Sequence, residues 1–188
     1  MFGGGAVPMQ DLSSYLFVDA QYIREELRCL DLDDEFSPEC LNHQLLFHDS
    51  QGRRIRRSRT FFYDAIDESA SESQHQKQQV YLRRVEELPY TTVLTGFIRP
   101  GRRNRSQKGV DVRIAVDMLE MAERQMCDAM CLVAGDADFA PLADAVRRAG
   151  PYMIVAGFQK NLSMELKHSA DLVKTLPYPE KGTYPPFD

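Results

Sequence analysis

The 188-residue chain has no tryptophan and only four cysteines. Cys29, Cys40, Cys127 and Cys131 show no Cys-x-x-Cys spacing, so a structural zinc site is not predicted. Cys131 lies in an apolar run that is typical of a buried strand. We therefore expect reduced thiols in a reducing compartment rather than a disulfide framework.

Long hydrophobic runs are also missing. No apolar run approaches the ~18 residues of a membrane span, and the first residues, MFGGGAVPMQD, lack the basic and hydrophobic regions of a signal peptide. The expectation is a cytoplasmic protein without membrane contact. GxGxxG and Walker motifs are absent as well, which leaves a nucleotide cofactor without support.

The net charge of −5 argues against a protein that coats polyanions over its whole surface. Positive charge is nevertheless concentrated in two stretches, 53–59 and 99–108. We predict that both flank an acidic pocket and steer an anionic polymer toward it; the alternative is that each is a solvated loop or face. The two clusters are Arg53, Arg54, Arg56, Arg57 and Arg59, and Arg99, Arg102, Arg103, Arg105 and Lys108.

The most informative stretch is CLVAGDADF, residues 131–139. Residues 129–134 form a short apolar run without a polar face, which is typical of a strand buried on both sides of a parallel sheet. Asp136 and Asp138 follow in a tight turn, and PLADAVRRAG then has helical periodicity and a terminal glycine. Ligands bind at such strand-to-helix turns. The alternative for Asp138 is that it only caps the helix.

The same order of strand, acid and helix occurs earlier in the chain. Tyr15–Val18 is an apolar run that ends at Asp19, and helical periodicity follows it. A helix that opens near Lys108 carries Asp111 in its first turn. Asp117 lies six positions further on, where an i,i+4 pair with Arg113 is at least as good an explanation as a place in the pocket.

The remaining periodicities predict one α/β domain with a mainly parallel sheet of five or six strands. Strands are predicted at 59–65, 90–99 and 152–157, with an edge strand at 171–173, and an amphipathic helix within 69–87 ends before Pro89. Tyr63 and Asp64 either face the pocket or serve as a core tyrosine and a strand-terminating acid. Residues 31–51 form a hairpin or an irregular connection.

The strand tips and helix starts collect four carboxylates from separate parts of the chain, Asp19, Asp111, Asp136 and Asp138. Carboxylates that converge in this way suit one or two Mg²⁺ or Mn²⁺ ions. Such ions activate water and neutralise the charge that develops on a phosphodiester during hydrolysis. Lys108 and the arginines would then hold the phosphates of a polymer.

The motifs FVDAQ, RTFFYDA, KGVDVRIAVD, AGDADFAPLADAVRRAG, VAGF and SADLV, in this order, resemble the NYN domain of the LabA/DUF88 group in the PIN-like nuclease superfamily. The resemblance runs from about residue 15 to residue 174. It implies a Rossmann-like three-layer sandwich, an acidic divalent-metal site and ribonuclease activity on RNA. Its acidic positions fall on Asp19, Asp111, Asp136 and Asp138, with Asp117 as a possible addition.

Further roles and boundaries are also predicted. Lys108 matches the lysine before the helix; with Arg102, Arg103 and Arg105 it is predicted to bind RNA, single-stranded in the first instance. Gln21 and Tyr63 are predicted to lie next to the metal ligands and support them, without contacting the ion. We expect a disordered stretch at 1–12, the domain at 13–175 and a proline-rich tail at 176–188. A homodimer is left open.

Three departures from the family pattern favour an alternative function. Gln21 stands where members often have Asn, and Ala134 and Ala137 stand where they have serines, so hydrogen-bonding partners around the metal are lost. The alternative is an RNA-binding or regulatory module with little or no catalysis. A phosphotransfer enzyme or phosphorylated receiver is a third hypothesis, disfavoured because no second aspartate follows Asp19 two positions on.

Overall fold

The computed structural model describes residues 11–28, 41, 47–48, 52–67, 70–98 and 109–178. Within these ranges the strands are β1 Leu12–Asp19, β2 Phe47–His48, β3 Arg54–Asp67, β4 Thr91–Ile98, β5 Ala129–Val133, β6 Tyr152–Phe158 and β7 Leu172–Leu176. The helices are α1 Ala20–Arg28, α2 Glu72–Glu86, α3 Val110–Glu123, α4 Ala140–Ala149 and α5 Met164–His168, with a 3₁₀ turn over Ala137–Phe139.

Six strands form one parallel sheet in the order β4, β3, β1, β5, β6, β7. The two-residue β2 pairs antiparallel with the start of β3, on the edge that β1 does not occupy. The predicted α/β fold with a mainly parallel sheet is confirmed. The chain builds outward from β1 through β3 to β4 and then returns to add β5 on the other side of β1. The sheet therefore has its topological switch point between β1 and β5, where α/β folds bind ligands.

Helices cover both faces of the sheet, which gives three layers and two hydrophobic cores. On one face, Phe17 and Leu132 pack in a cluster with Met118 of α3, together with residues of α4 and α5. On the other face, Val18 packs in a cluster with Ile23 of α1 and with residues of α2. All five side chains are buried, and each contributes about 1.5 to 3 kcal/mol to folding.

Strand β3 is longer at both ends than the sequence indicates. It begins at Arg54 rather than at Arg59, and its register against β1 shifts by one residue at Ser58. A bulge of this kind interrupts the two-residue alternation from which a strand is recognised. The strand also continues to Asp67, so the interpretation of Asp64 as a strand-terminating residue is wrong.

Asp64 is instead a fully buried acid with partners from both helices of its face. Its Oδ2 accepts a hydrogen bond at 2.6 Å from Nη2 of Arg24 in α1 and another at 3.0 Å from Nε2 of Gln78 in α2. Its Oδ1 accepts from the backbone N–H of Ala65 at 2.8 Å. Because a buried carboxylate is costly without such partners, this network fixes α1 and α2 against β3.

Tyr22 fixes the start of α1 against the ends of β5 and β6. Its ring lies over Gly135, where an added Cβ would overlap both the ring and the backbone oxygen of Asn161. Its hydroxyl accepts a hydrogen bond from the N–H of Phe158 at 2.8 Å and would lie 2.8 Å from a Cβ at Gly157. The two glycines are needed because the tyrosine occupies the space of their side chains.

No helix in the described part of the chain is long and apolar enough to cross a membrane.

Replacing Gly135 by Ala should destabilise the protein by about 1 to 3 kcal/mol, because the new methyl group overlaps the Tyr22 ring and a backbone oxygen that cannot both retreat. Gly109→Ala is the matched control, since nothing lies within 4 Å of a Cβ there, and it should change stability by less than about 1 kcal/mol. Urea unfolding curves of the two variants measure the difference. Equal effects would contradict the close packing of Tyr22.

Candidate metal centre

The acidic residues predicted from the sequence lie around the carboxyl edge of the sheet, at the switch point. Asp19 is the last residue of β1, and Asp136 lies three residues after the end of the neighbouring strand β5. Asp111 is in the first turn of α3. Parallel pairing of β1 with β5 sends both strand ends to the same edge, because parallel strands end on one side of a sheet.

Asp19 is a buried carboxylate with only 8% of its surface exposed. Its Oδ1 accepts hydrogen bonds from the backbone N–H groups of Gln21 at 3.0 Å and Tyr22 at 3.2 Å, which caps α1. Burial nevertheless raises the pKa of Asp19 to about 7, and repulsion from Asp111 and Glu25 adds to it, although the two backbone hydrogen bonds oppose the shift. The protein therefore holds a carboxyl group that is partly protonated near neutral pH and gains from a nearby cation.

Asp111 links Asp19 to the acidic turn after β5. Its pKa is raised first by partial burial and then by the negative charges of Asp136 and Asp138. Asp111 also raises the pKa of Asp19. Asp111 thus interacts electrostatically with each of the other three predicted carboxylates.

The acidic turn has a local structural role in addition to its charge. Oδ1 of Asp136 accepts a hydrogen bond from the N–H of Asp138 at 3.1 Å and caps the 3₁₀ turn. The capping alternative was assigned to Asp138, and that assignment is wrong: Asp138 lies inside the turn, and the position before α4 is taken by Phe139, which makes no side-chain cap. Both aspartates are exposed to solvent.

Asp117 lies on α3 but has protein partners of its own. Its Oδ2 accepts hydrogen bonds from Nε of Arg113 at 3.1 Å and from the hydroxyl of Tyr63 at 3.1 Å. The i,i+4 pair with Arg113 is the alternative that the spacing predicted. Tyr63 is a buried core residue whose ring stacks on Phe17. Its hydroxyl contacts Asp117.

Gln21 supports Asp19 through its backbone, whereas its side chain donates to Glu25 at 2.7 Å. The predicted RNA-binding residues lie outside the described ranges. They are Lys108, Arg102, Arg103 and Arg105.

The first basic cluster does not flank the acidic site, and the prediction that it does is wrong. Arg56 pairs in register with Ser13 near the start of β1, whereas Asp19 pairs with Tyr63 at its end. Six residues of strand separate the two positions, which corresponds to about 20 Å. The arginines of 53–59 therefore lie toward the opposite, amino edge of the sheet.

Sequence reasoning missed the residues that hold the site together. Arg24 neutralises buried Asp64 and also lies within electrostatic reach of Asp19. Tyr22 joins the start of α1 to the turn that carries Asp136. These contacts join positions 40 and more than 100 residues apart, and a spacing pattern cannot indicate them; the glycine before Asp136 was the only signal.

The donor set fits a hard divalent cation and does not fit zinc, because it consists of carboxylates without His or Cys. Within the described ranges, no group of three or more His, Cys, Asp or Glu residues is arranged to hold an ion by itself. Mg²⁺ commonly retains several waters and binds through one or two carboxylates together with substrate phosphates. The residues therefore fit an ion that is completed by water and substrate.

Comparisons with known proteins agree with the fold. A solved structure of a protein of unknown function from Vibrio parahaemolyticus is similar, with a TM-score of 0.63, 22% sequence identity and coverage of 92% of this chain and 97% of that chain. No protein among the curated ones matches the sequence. The family model of the NYN domain matches residues 13–176. That match covers most of the sequence, and the chain belongs to the NYN domain family.

Proposed function

We propose that the protein is a metal-dependent ribonuclease that hydrolyses RNA phosphodiester bonds at the carboxyl edge of its sheet. The observation that carries the proposal is the electrostatic coupling of Asp19, Asp111, Asp136 and Asp138 at the switch point. Repulsion among these groups is a cost to the free protein that a cation removes. Membership of the NYN family supports a PIN-like nuclease, and assignment to the LabA/DUF88 group is part of the proposal.

The four carboxylates would share one or two Mg²⁺ or Mn²⁺ ions, with water and a substrate phosphate completing the coordination of each ion. The ions would activate water and offset charge on the phosphate. Asp19 is the strongest candidate for direct contact, because burial keeps its carboxyl group away from bulk water. Its second helix-capping partner, the N–H of Tyr22, belongs to the residue that packs on Gly135. This arrangement keeps Asp19 and the Asp136 turn at a fixed separation and so orients both for one substrate phosphate.

The substrate side of the proposal concerns the predicted basic residues. Lys108, Arg102, Arg103 and Arg105 immediately precede α3, whose first turn carries Asp111. Cations at that place in the chain would hold the phosphates of single-stranded RNA next to the carboxylates. The catalytic unit would extend over 13–175, with 1–12 and the tail at 176–188 outside it.

A second candidate function is RNA binding or regulation with little catalysis. It is favoured by the lack of a preformed three-ligand group in the described ranges. It is also favoured by Ala134 and Ala137, which bring no hydroxyl group to the turn. Purified protein incubated with labelled single-stranded and structured RNA, in Mn²⁺, in Mg²⁺ and in EDTA, separates the two functions. Cleavage that requires the metal supports the nuclease, whereas binding without cleavage under all conditions supports the module.

Asp136→Asn should reduce metal-dependent cleavage by about two orders of magnitude or more, because the amide lacks the charge that binds a hard cation. The amide oxygen can still accept from the N–H of Asp138, so the metal-free melting temperature should stay level or rise. Asp136→Ala should lose the cap as well and cost about 1 kcal/mol. Gel assays and thermal melts of the two variants provide the measurement.

Glu86→Gln makes the same change of charge on the exposed side of α2 and should keep cleavage intact. The assignment of Asp136 fails if its Asn variant melts as low as the Ala variant and retains the full stabilisation by metal.

The metal-free protein should become less stable as the pH rises from about 4 to about 7. Over this range the folded protein keeps a proton on Asp19 that the unfolded chain has released, since the pKa is raised from 3.8 to about 7. The free energy of unfolding then falls by up to about 1.4 kcal/mol per pH unit. Repulsion from Asp111 and Glu25 acts in the same direction as burial, whereas the hydrogen bonds from the N–H groups of Gln21 and Tyr22 oppose it.

Asp19→Asn should abolish this part of the pH dependence, because Asn retains the cap but does not titrate. Urea unfolding in EDTA across the pH range gives the difference between parent and variant. Parallel stability profiles for the two proteins would show that Asp19 titrates normally in the folded state.

A further inference from the structure

The amino edge of the sheet carries a feature that the acidic site does not use. A groove of about 890 Å³ lies there between the starts of β1 and β6 and the end of α4, lined by residues that include Leu12, Arg53, Arg148 and Tyr152. Arg147 also lines it and pairs with Asp171 at 2.9 Å and with Asp144 at 3.8 Å. The groove is lined by arginines from two separate parts of the chain and by Asp128, Asp144 and Asp171, and the last two of these aspartates pair with Arg147.

The first basic cluster continues this surface along β3. Arg54 and Arg56 are exposed and lie two positions apart, so their side chains leave the strand on the same face. Arg56 makes a long ion pair of 3.6 Å with Asp11. Arg54 and Arg148 have no carboxylate within ion-pairing distance in the part of the chain that the structure describes. Two arginines thus present unneutralised charge on a protein whose net charge is −5.

The chemistry of this surface favours a phosphate polymer over a protein partner. Guanidinium groups match phosphate oxygens through paired hydrogen bonds. Protein interfaces instead depend on large apolar anchors at their centre. Of the large apolar side chains that are exposed in the described ranges, none lines the groove. Tyr152 is half-buried at the groove and adds a ring on which a base could stack.

We propose that the amino-edge surface, defined by Arg53, Arg54, Arg56, Arg147 and Arg148, is a second RNA-binding site that holds the substrate backbone far from the acidic edge. The inference rests on the proposed function for the identity of the polymer. The two sites are about 20 Å apart along the strands, so an RNA must extend over several nucleotides to occupy both. Simultaneous contact raises the affinity for long RNA without any new contact at the acidic site.

The test is the salt dependence of RNA binding by the double variant Arg54→Gln, Arg148→Gln. Fluorescence anisotropy with a labelled single-stranded oligouridylate of about 20 nucleotides, in EDTA, excludes metal binding and cleavage from the measurement. Loss of two phosphate contacts should reduce the log-log slope by about 1.4, at about 0.7 per contact for single strands. Neither residue has an ion pair to lose among the residues that the structure describes, so the melting temperature should not change.

The control is the double variant Lys77→Gln, Arg83→Gln on the exposed side of α2. It also removes two positive charges and should leave the slope as in the parent protein. An equal fall in both double variants would mean that only net charge matters and would overturn the proposal. A second result would also overturn the proposal: an unchanged slope in the Arg54, Arg148 double variant together with a loss of its binding to poly-L-glutamate. The surface would then suit an acidic protein rather than RNA.

Cleavage in Mn²⁺ gives the second readout. The double variant should cleave the long RNA with a raised KM and an unchanged kcat. It should cleave a dinucleotide as the parent does, because a single phosphodiester cannot reach both sites. A lowered kcat on the short substrate would contradict a remote site. If neither the parent protein nor the double variant cleaves RNA but the slope of the double variant in EDTA still falls, the proposed catalysis is wrong and the RNA-binding surface stands.

Discussion

The parallel pairing of β1 with β5 is the constraint on which the rest of the structure depends. In that register Val18 lies beside Val133, so the chain leaves both strands at the same height and on the same edge. Asp19 and the turn that carries Asp136 follow at once. Tyr22 then fills the space over Gly135 and Gly157, which prevents the two strand ends from moving independently. The acidic site is a consequence of how these two strands end.

This constraint holds like charges together, which makes the acids harder to ionise. Burial raises the pKa of Asp19 from 3.8 to about 7. Partial burial and the negative charges of Asp136 and Asp138 raise the pKa of Asp111. The buried acid Asp64 shows the contrast, because Arg24 and Gln78 neutralise and hydrogen-bond it. A buried carboxylate with a partner serves the fold. A buried carboxylate that faces other carboxylates is explained better by a cation.

Fold class, strand order along the chain and the acidic positions could be predicted from the sequence because each depends on local periodicity. The apolar run before Gly135 and the acid after it are neighbours in the chain, and the same is true of Val18 and Asp19. The network around Asp64 could not be predicted, because its members are 14 and 40 residues apart. The place of the first basic cluster was wrong for a related reason: composition shows that charge is concentrated, but only strand register shows at which edge.

The central claim is that the carboxyl group of Asp19 binds a divalent cation, and proton release during metal binding tests it most directly. Calorimetric titration with Mn²⁺ near pH 7, repeated in two buffers of different ionisation enthalpy, counts the protons that leave the protein. With a pKa of about 7, Asp19 is about half protonated there, so about half a proton should be released per ion bound. The release should disappear about two pH units higher. Saturable binding without proton release near pH 7, or no binding at all, would contradict the account.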